Sequence, residues 1–123
     1  MTSPTQRTLA WLREHKWVYS TCSGFNSFTK TRWDCWGFAD YVALDPSGQI
    51  HWIQITSDAH HAERRRKIEK IESAKRLSRS SAVEVWTWGL KGPQGTRKTW
   101  TLRVERGIHL TTKGYWVWTE MAY

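Results

Sequence analysis

Nowhere does the 123-residue chain hold an apolar run near the roughly 20 residues that a bilayer-spanning helix requires. Its opening residues, MTSPTQRTLA, also lack the charged-then-apolar profile of a secretory signal, so a cytoplasmic protein that meets no membrane is expected. Cysteine is scarce: Cys22 and Cys35 are too few for a disulfide framework and have no CxxC spacing, and buried or free thiols are expected. Internal repeats, low-complexity tracts and Pro/Gly/Ser-rich linkers are missing too, which makes residues 1–123 a single domain. Acidic residues are in deficit, with 11 Asp+Glu against 19 Lys+Arg, a net charge of +8 and a pI near 9.9. That balance points to a polyanionic partner, with nucleic acid first. What the chain has in excess is tryptophan, ten in all, and with aromatics at 14% and charged residues at 24% the composition excludes disorder.

Ser3 followed by Pro4 is a helix start, and Leu9, Leu12 and Trp11 form an apolar stripe, predicting a helix over residues 4–15. Trp17 to Thr21 reads as a strand, and CSGFNSFTKTRWD, rich in Ser, Thr, Gly and Asn, reads as an irregular loop. WGFADYVAL (36–44) and IHWIQIT (50–56) flank the turn Asp45-Pro46-Ser47-Gly48 and predict a β-hairpin. Residues 59–78 have helical spacing at Ile68, Ile71 and Lys75 or Leu77, an N-cap in Ser57 or Asp58, and i,i+4 pairs Glu63–Lys67, Arg65–Glu69 and Glu72–Arg76. VEVWTW (83–88) and WTLRVE (100–105) alternate as strands around the loop GLKGPQGTRK, and YWVWTEM suits a final short strand. The predicted class is α/β, helices against a mixed sheet.

If Leu44 pairs with Ile50, then Val42 faces Trp52, Asp40 faces Gln54 and Phe38 faces Thr56, which sets Asp40, Gln54 and Thr56 on one face. A slip of one residue would undo this. Asp40 lies in an otherwise apolar strand, where a carboxylate is costly unless paired. It can be a ligand for a hard divalent cation, Mg²⁺ or Mn²⁺, with the Gln54 side-chain oxygen and the Ile55 carbonyl completing an oxygen shell. It can equally be bonded to a buried Trp or Ser, or paired with an arginine.

GFADYVAL, the DPSG turn and IHWIQIT together resemble the PD-(D/E)XK, or restriction-endonuclease-like, nuclease superfamily, in which a strand aspartate is followed by a (D/E)-x-K tripeptide on the neighbouring strand. The likeness covers roughly residues 4–90 and is greatest to small phage and bacterial proteins, relatives of Holliday junction resolvases, whose tripeptide reads Gln-x-Thr and precedes a basic helix. The resemblance implies an αβββαβ core with a mixed central sheet flanked by helices. It also implies a Mg²⁺- or Mn²⁺-dependent endonuclease acting on duplex or branched DNA, located in the bacterial cytoplasm.

Carried over by residue, Asp40 matches the metal-binding aspartate, Gln54 stands where Glu or Asp would be and Thr56 where the lysine would be. Glutamine offers a neutral oxygen, and threonine cannot supply the ammonium that stabilises charge on the phosphate. Lys67 and Lys30 are candidates to replace that ammonium, Asp34 is a second carboxylate for the metal, and Glu14 is the local match for the family's early glutamate. The alternative is a domain that grips nucleic acid after losing efficient chemistry.

Between His60 and Arg79 stand eight basic residues against three glutamates, accounting for five of the chain's eight net positive charges. The run Arg64-Arg65-Arg66-Lys67, with Lys70, Lys30 and Arg32, is the expected phosphate-contacting set. Adjacent His60 and His61 point about a hundred degrees apart on a helix, with no partner at zinc-ligand spacing, and are expected to face phosphate or solvent. Most tryptophans fall in predicted strands and belong to the core. Trp86 with Trp88, and Trp116 with Trp118, share faces two residues apart and suit base stacking or a subunit interface. For the C-terminal pair a homodimer is favoured, because cutting two strands symmetrically takes two sites.

Overall fold

The computed structural model describes residues 2–123. Its first helix, α1 (Pro4–Glu14), opens with a capping box: Gln6 N–H donates to Ser3 Oγ at 3.1 Å while Ser3 N–H donates to Gln6 Oε1 at 2.8 Å. A six-stranded sheet follows, in the order β1 (Val18–Thr21), β4 (Tyr41–Leu44), β5 (Ile50–Ser57), β6 (Ala82–Lys91), β7 (Thr99–Leu110), β8 (Tyr115–Met121). Only β5 and β6 run parallel, and the other neighbours are antiparallel. The crossover between β5 and β6 is a 3₁₀ turn (Asp58–His60), α2 (His61–Glu69) and α3 (Glu72–Leu77). A separate two-stranded ribbon, β2 (Ser23–Asn26) with β3 (Thr31–Asp34), projects from the stretch between β1 and β4. The protein is therefore a mixed α/β fold with a mostly antiparallel sheet flanked by helices. No helix among the described residues is long and apolar enough to cross a membrane.

Because strand side chains alternate, the sheet has two cores. Leu12 of α1 and Trp17 pack on Ala43, Ile53, Ile55, Trp86 and Val104. On the opposite face, Ile68 of α2 and Ala74 of α3 pack with Phe38, Ala39, Val83 and Val85, with Trp52, Trp116 and Trp118 at the margin. Trp86 is fully buried, and truncating a core residue of that size typically costs about 3–5 kcal/mol. Trp88 donates through Nε1 to Thr8 Oγ1 at 2.9 Å, tying α1 to the sheet. Under α1 lies a buried charge cluster. His51 contacts Glu84 Oε1 through Nδ1 at 2.7 Å and Asp45 Oδ2 through Nε2 at 2.9 Å, and Glu84 also accepts from Arg106 Nε at 3.2 Å and from the Tyr123 hydroxyl. Burial pushes the His51 imidazolium down, but the two carboxylates more than reverse that and raise its pKa.

Six expectations are corrected. The stretch after Cys22 is the β2–β3 ribbon and no irregular loop, and Cys22 and Cys35 are disulfide-bonded across its base, with Cα atoms 5.1 Å apart. The expected strand over 36–44 begins only at Tyr41, because Trp36 (φ 61°) and Gly37 (φ 82°) turn the chain back between Cys35 and Ala39. Phe38 accordingly lies in the core and does not face Thr56, which is registered with Thr87 of β6. The single helix over 59–78 is broken at Ile71, whose extended backbone (ψ 118°) starts α3 and lets Ile68, Ile71 and Ala74 all reach one core. Only Glu72–Arg76 of the three expected i,i+4 pairs forms, at 3.5 Å, since Lys67, Arg65 and Glu69 have partners outside the helix.

A two-stranded ribbon is marginal by itself, so the cross-link at its base should matter. Replacing both cysteines by serine is expected to lower the unfolding free energy by about 3 kcal/mol, the chain-entropy figure for a loop of roughly this length. Denaturant unfolding of the variant beside the oxidised wild type checks this, and unchanged stability would contradict it.

Candidate active site

The register predicted from the DPSG turn is present: Leu44 pairs with Ile50 and Val42 with Trp52. Asp45 holds the turn by accepting from Ser47 N–H at 2.9 Å and Gln49 N–H at 3.1 Å. One step beyond the ladder, Asp40 is fixed by its backbone, whose N–H donates to Ile53 O and whose carbonyl accepts from Cys22 N–H, both at 2.8 Å. Its carboxylate turns onto β5. Oδ2 accepts from Ile55 N–H and from Gln54 Nε2, both at 2.9 Å. With its amide nitrogen spent on Asp40, buried Gln54 keeps Oε1 without a hydrogen-bond partner. A buried carbonyl oxygen left in this way is costly, and it is the kind of atom a cation or bound water satisfies.

Around these two residues is an open, polar cavity of about 550 Å³, lined by Thr5, Ser23, Arg32, Asp34, Asp40, Tyr41, Gln54, Ile55, Arg64 and Lys67. Three separate pieces of chain build it. The ribbon supplies Ser23, Arg32 and Asp34; the β4–β5 hairpin supplies Asp40 and Gln54; and α2 supplies Arg64 and Lys67, which share a face at i,i+3. Lys67 Nζ lies 3.9 Å from Asp34 Oδ2, and the Arg64 Nε is buried without a partner. Burial is the main influence that raises the Asp40 pKa above its ordinary value; the nearby Asp34 charge adds to it, and the Ile55 N–H, Lys67 and Arg64 oppose it.

Of the residues singled out from sequence, Asp40, Gln54, Asp34, Lys67, Arg64 and Arg32 meet in this one cavity. Ile55 contributes its N–H to Asp40, while its side chain packs in the core under α1. Thr56 is buried in the β5–β6 pairing and does not line the cavity. Lys30 lies in the connection between β2 and β3 and is exposed, as are Arg66 on α2 and Lys70 at its C-terminal end, and none of the three lines the cavity. Arg65 turns away, 3.3 Å from Glu105 Oε1 and with its guanidinium 5.2 Å from the Trp118 ring. Glu14 borders Trp88 and Trp100 instead.

His60 is exposed beside Glu63, but His61 faces neither phosphate nor solvent: it is buried, with Nδ1 at Thr87 Oγ1 and Nε2 at Glu105. Trp116 and Trp118 stack on each other at 5.6 Å, half-buried, with Trp118 Nε1 donating to Glu69 at 2.8 Å. Thr5, Ser23 and Tyr41 were not foreseen. Ser23 was findable in principle, because SGFN and TRWD can pair across a four-residue connection that puts Ser23 opposite Asp34.

The donor set suits a hard cation: one half-buried carboxylate, one on the wall, and one orphaned amide oxygen. No three His, Cys, Asp or Glu side chains among the described residues converge as a metal group, so such an ion would have two carboxylates at most. In comparisons with known proteins, the chain matches no family model, no curated protein and no solved structure.

Because the folded pKa of Asp40 is raised, the folded protein holds this proton more tightly than the unfolded chain. The stabilisation is therefore present in acid and lost as pH rises through the raised value, leaving a net penalty at neutral pH. Asp40→Asn keeps an oxygen that can accept from Ile55 and Gln54 and removes the charge. Its melting temperature at pH 7 is expected to equal or exceed that of the wild type, with the gap closing below about pH 4. A variant clearly less stable at pH 7 would contradict the assignment.

Proposed function

We propose that the protein is a metal-dependent DNA endonuclease of the restriction-endonuclease-like kind, structure-selective as junction resolvases are. The observation that carries this reading is the orphaned Gln54 Oε1 beside the half-buried Asp40 carboxylate, in a cavity rimmed by Lys67, Arg64 and Arg32. The chain order α1, β1, β4, β5, the helical crossover and parallel β6 supports it at the level of the αβββαβ core. Asp40 and Gln54, with Asp34, would hold Mg²⁺ or Mn²⁺, which when bound polarises a phosphodiester and lowers the pKa of an attacking water. Gln54 is oriented by Asp40, since the amide nitrogen can reach Oδ2 only with Oε1 turned away. Lys67 takes the part that Thr56 cannot, supplying an ammonium where charge develops on the phosphate. Arg64 and Arg32 bind the flanking phosphates. A homodimer belongs to this reading, because symmetric cleavage of a branched substrate takes two sites.

A second reading, a nuclease-like domain that binds nucleic acid without cutting it, is favoured by the neutral Gln54 and the missing third carboxylate. Plasmid and branched-DNA cleavage with Mg²⁺ and Mn²⁺ separates the two. Metal-dependent cutting that falls at least about a hundredfold in Asp40→Ala is expected for the enzyme. No cutting of any DNA form, or full activity in the variant, would contradict it.

Phosphate binding has its own signature. Arg64→Ala and Lys67→Ala are each expected to lower the slope of log affinity for duplex against log salt by about 0.9, whereas Arg65→Ala, already neutralised by Glu105, leaves it unchanged. Equal effects at all three positions would show that the cavity is not the phosphate path.

A further inference from the structure

The ribbon carries aromatic side chains that the rest of the molecule leaves exposed. Phe28 at its tip is 96% exposed and Phe25 is 58% exposed. Apolar rings in this position do not stabilise the fold, and an exposed cluster of them marks a surface that meets something else. Their placement says more than their exposure. In the β2–β3 ladder Phe25 pairs with Arg32 and Ser23 with Asp34, so these four side chains share one face, and three of them line the cavity. Phe25 therefore continues the cavity wall outward, next to Arg32 and towards Phe28 and Lys30.

The ribbon is also held in shape. The Cys22–Cys35 bridge closes its base. Trp33, on the opposite face, lies so close over Gly24 that a Cβ there would sit 2.6 Å from the indole nitrogen. At the tip, Asn26 Oδ1 accepts from Phe28 N–H at 2.9 Å and Thr29 N–H at 3.2 Å. The backbone that carries the two phenyl rings is thus ordered before binding, so little of its freedom is left to lose.

We propose that the β2–β3 ribbon is a stacking finger for unpaired bases: Phe25 and Phe28 stack on successive bases of a single strand whose phosphates run past Arg32 to Arg64 and Lys67. This rests on the reading of the cavity as a nucleic-acid site and names what that site prefers, DNA with single-stranded or splayed character. Charge complementarity selects this occupant. The rings are interleaved with Lys30 and Arg32 and adjoin the cationic rim, the combination of aromatic platforms and basic track that single-strand binders use. A duplex keeps its bases stacked internally and offers the rings no faces.

The test is fluorescence anisotropy in EDTA, where no cleavage occurs, with a labelled single strand of about twelve nucleotides and the same sequence as a blunt duplex. Phe25→Ala with Phe28→Ala is expected to weaken single-strand binding at least about tenfold and duplex binding by less than about twofold. Phe25→Trp with Phe28→Trp should retain single-strand binding. Both residues are exposed, so the variants are expected to melt with the wild type. Equal loss on both DNAs, no loss on the single strand, no single-strand binding by the wild type, or dissociation of a wild-type dimer with DNA binding unchanged would each overturn the proposal. Failure of the endonuclease reading looks different: no metal-dependent cutting, with the selective loss on single strands intact.

Discussion

The antiparallel pairing of β4 with β5 is the constraint on which the candidate site depends. Leu44 opposite Ile50 places Asp40 one step past the last paired residue, where its backbone still bonds to Ile53 and its carboxylate reaches Ile55 N–H and the Gln54 amide. Because side chains alternate, a shift of one residue would send Gln54 to the α1 face and leave Asp40 without either donor. The register is held by the Asp45 turn and by the apolar demands of both faces, with Ala43, Ile53 and Ile55 on one and Val42 and Trp52 on the other. Core packing and site geometry are thus set by the same ladder.

The cationic rim follows from how the crossover lies on that sheet. Ile68 is driven into the core, which turns Arg64 and Lys67 towards Asp40 and leaves Arg66 and Lys70 in solvent. Arg65 is drawn to Glu105, which also accepts from Arg103 and contacts His61. Burial tends to raise the pKa of Glu105, and the His61 contact with the two arginines more than offsets it, so its carboxyl is held below the usual range. The basic run therefore does two jobs: part anchors the helix to β7, and part faces the cavity. Opposite it the ribbon closes the third side, with Asp34 near Lys67 and the phenyl rings beyond.

What could be read from the residues beforehand is local. The DPSG turn between two apolar runs carried the hairpin and its register, and Ser3-Pro4 carried α1. Meeting of Asp40, Gln54, Asp34 and Lys67 was legible because three of them lie on or beside that hairpin and the fourth on the helix leaving it. Misread features depend on partners distant in sequence. His61 is buried because Glu105, 44 residues on, meets it. The ribbon has strands of only four residues in a turn-rich composition, so its alternation was hidden and its disulfide with it. Ile71 breaks the helix to serve the core beneath, a demand no helix periodicity records.

The central claim is that Asp40 and Gln54 form the floor of a divalent-cation site. Crystals of the protein soaked in Mn²⁺ and measured at the manganese absorption edge test it most directly. The account predicts an anomalous peak bonded to Asp40 and to the Gln54 Oε1 oxygen. Bound manganese only elsewhere, or none while Gln54 Oε1 is satisfied by a protein donor, would contradict it.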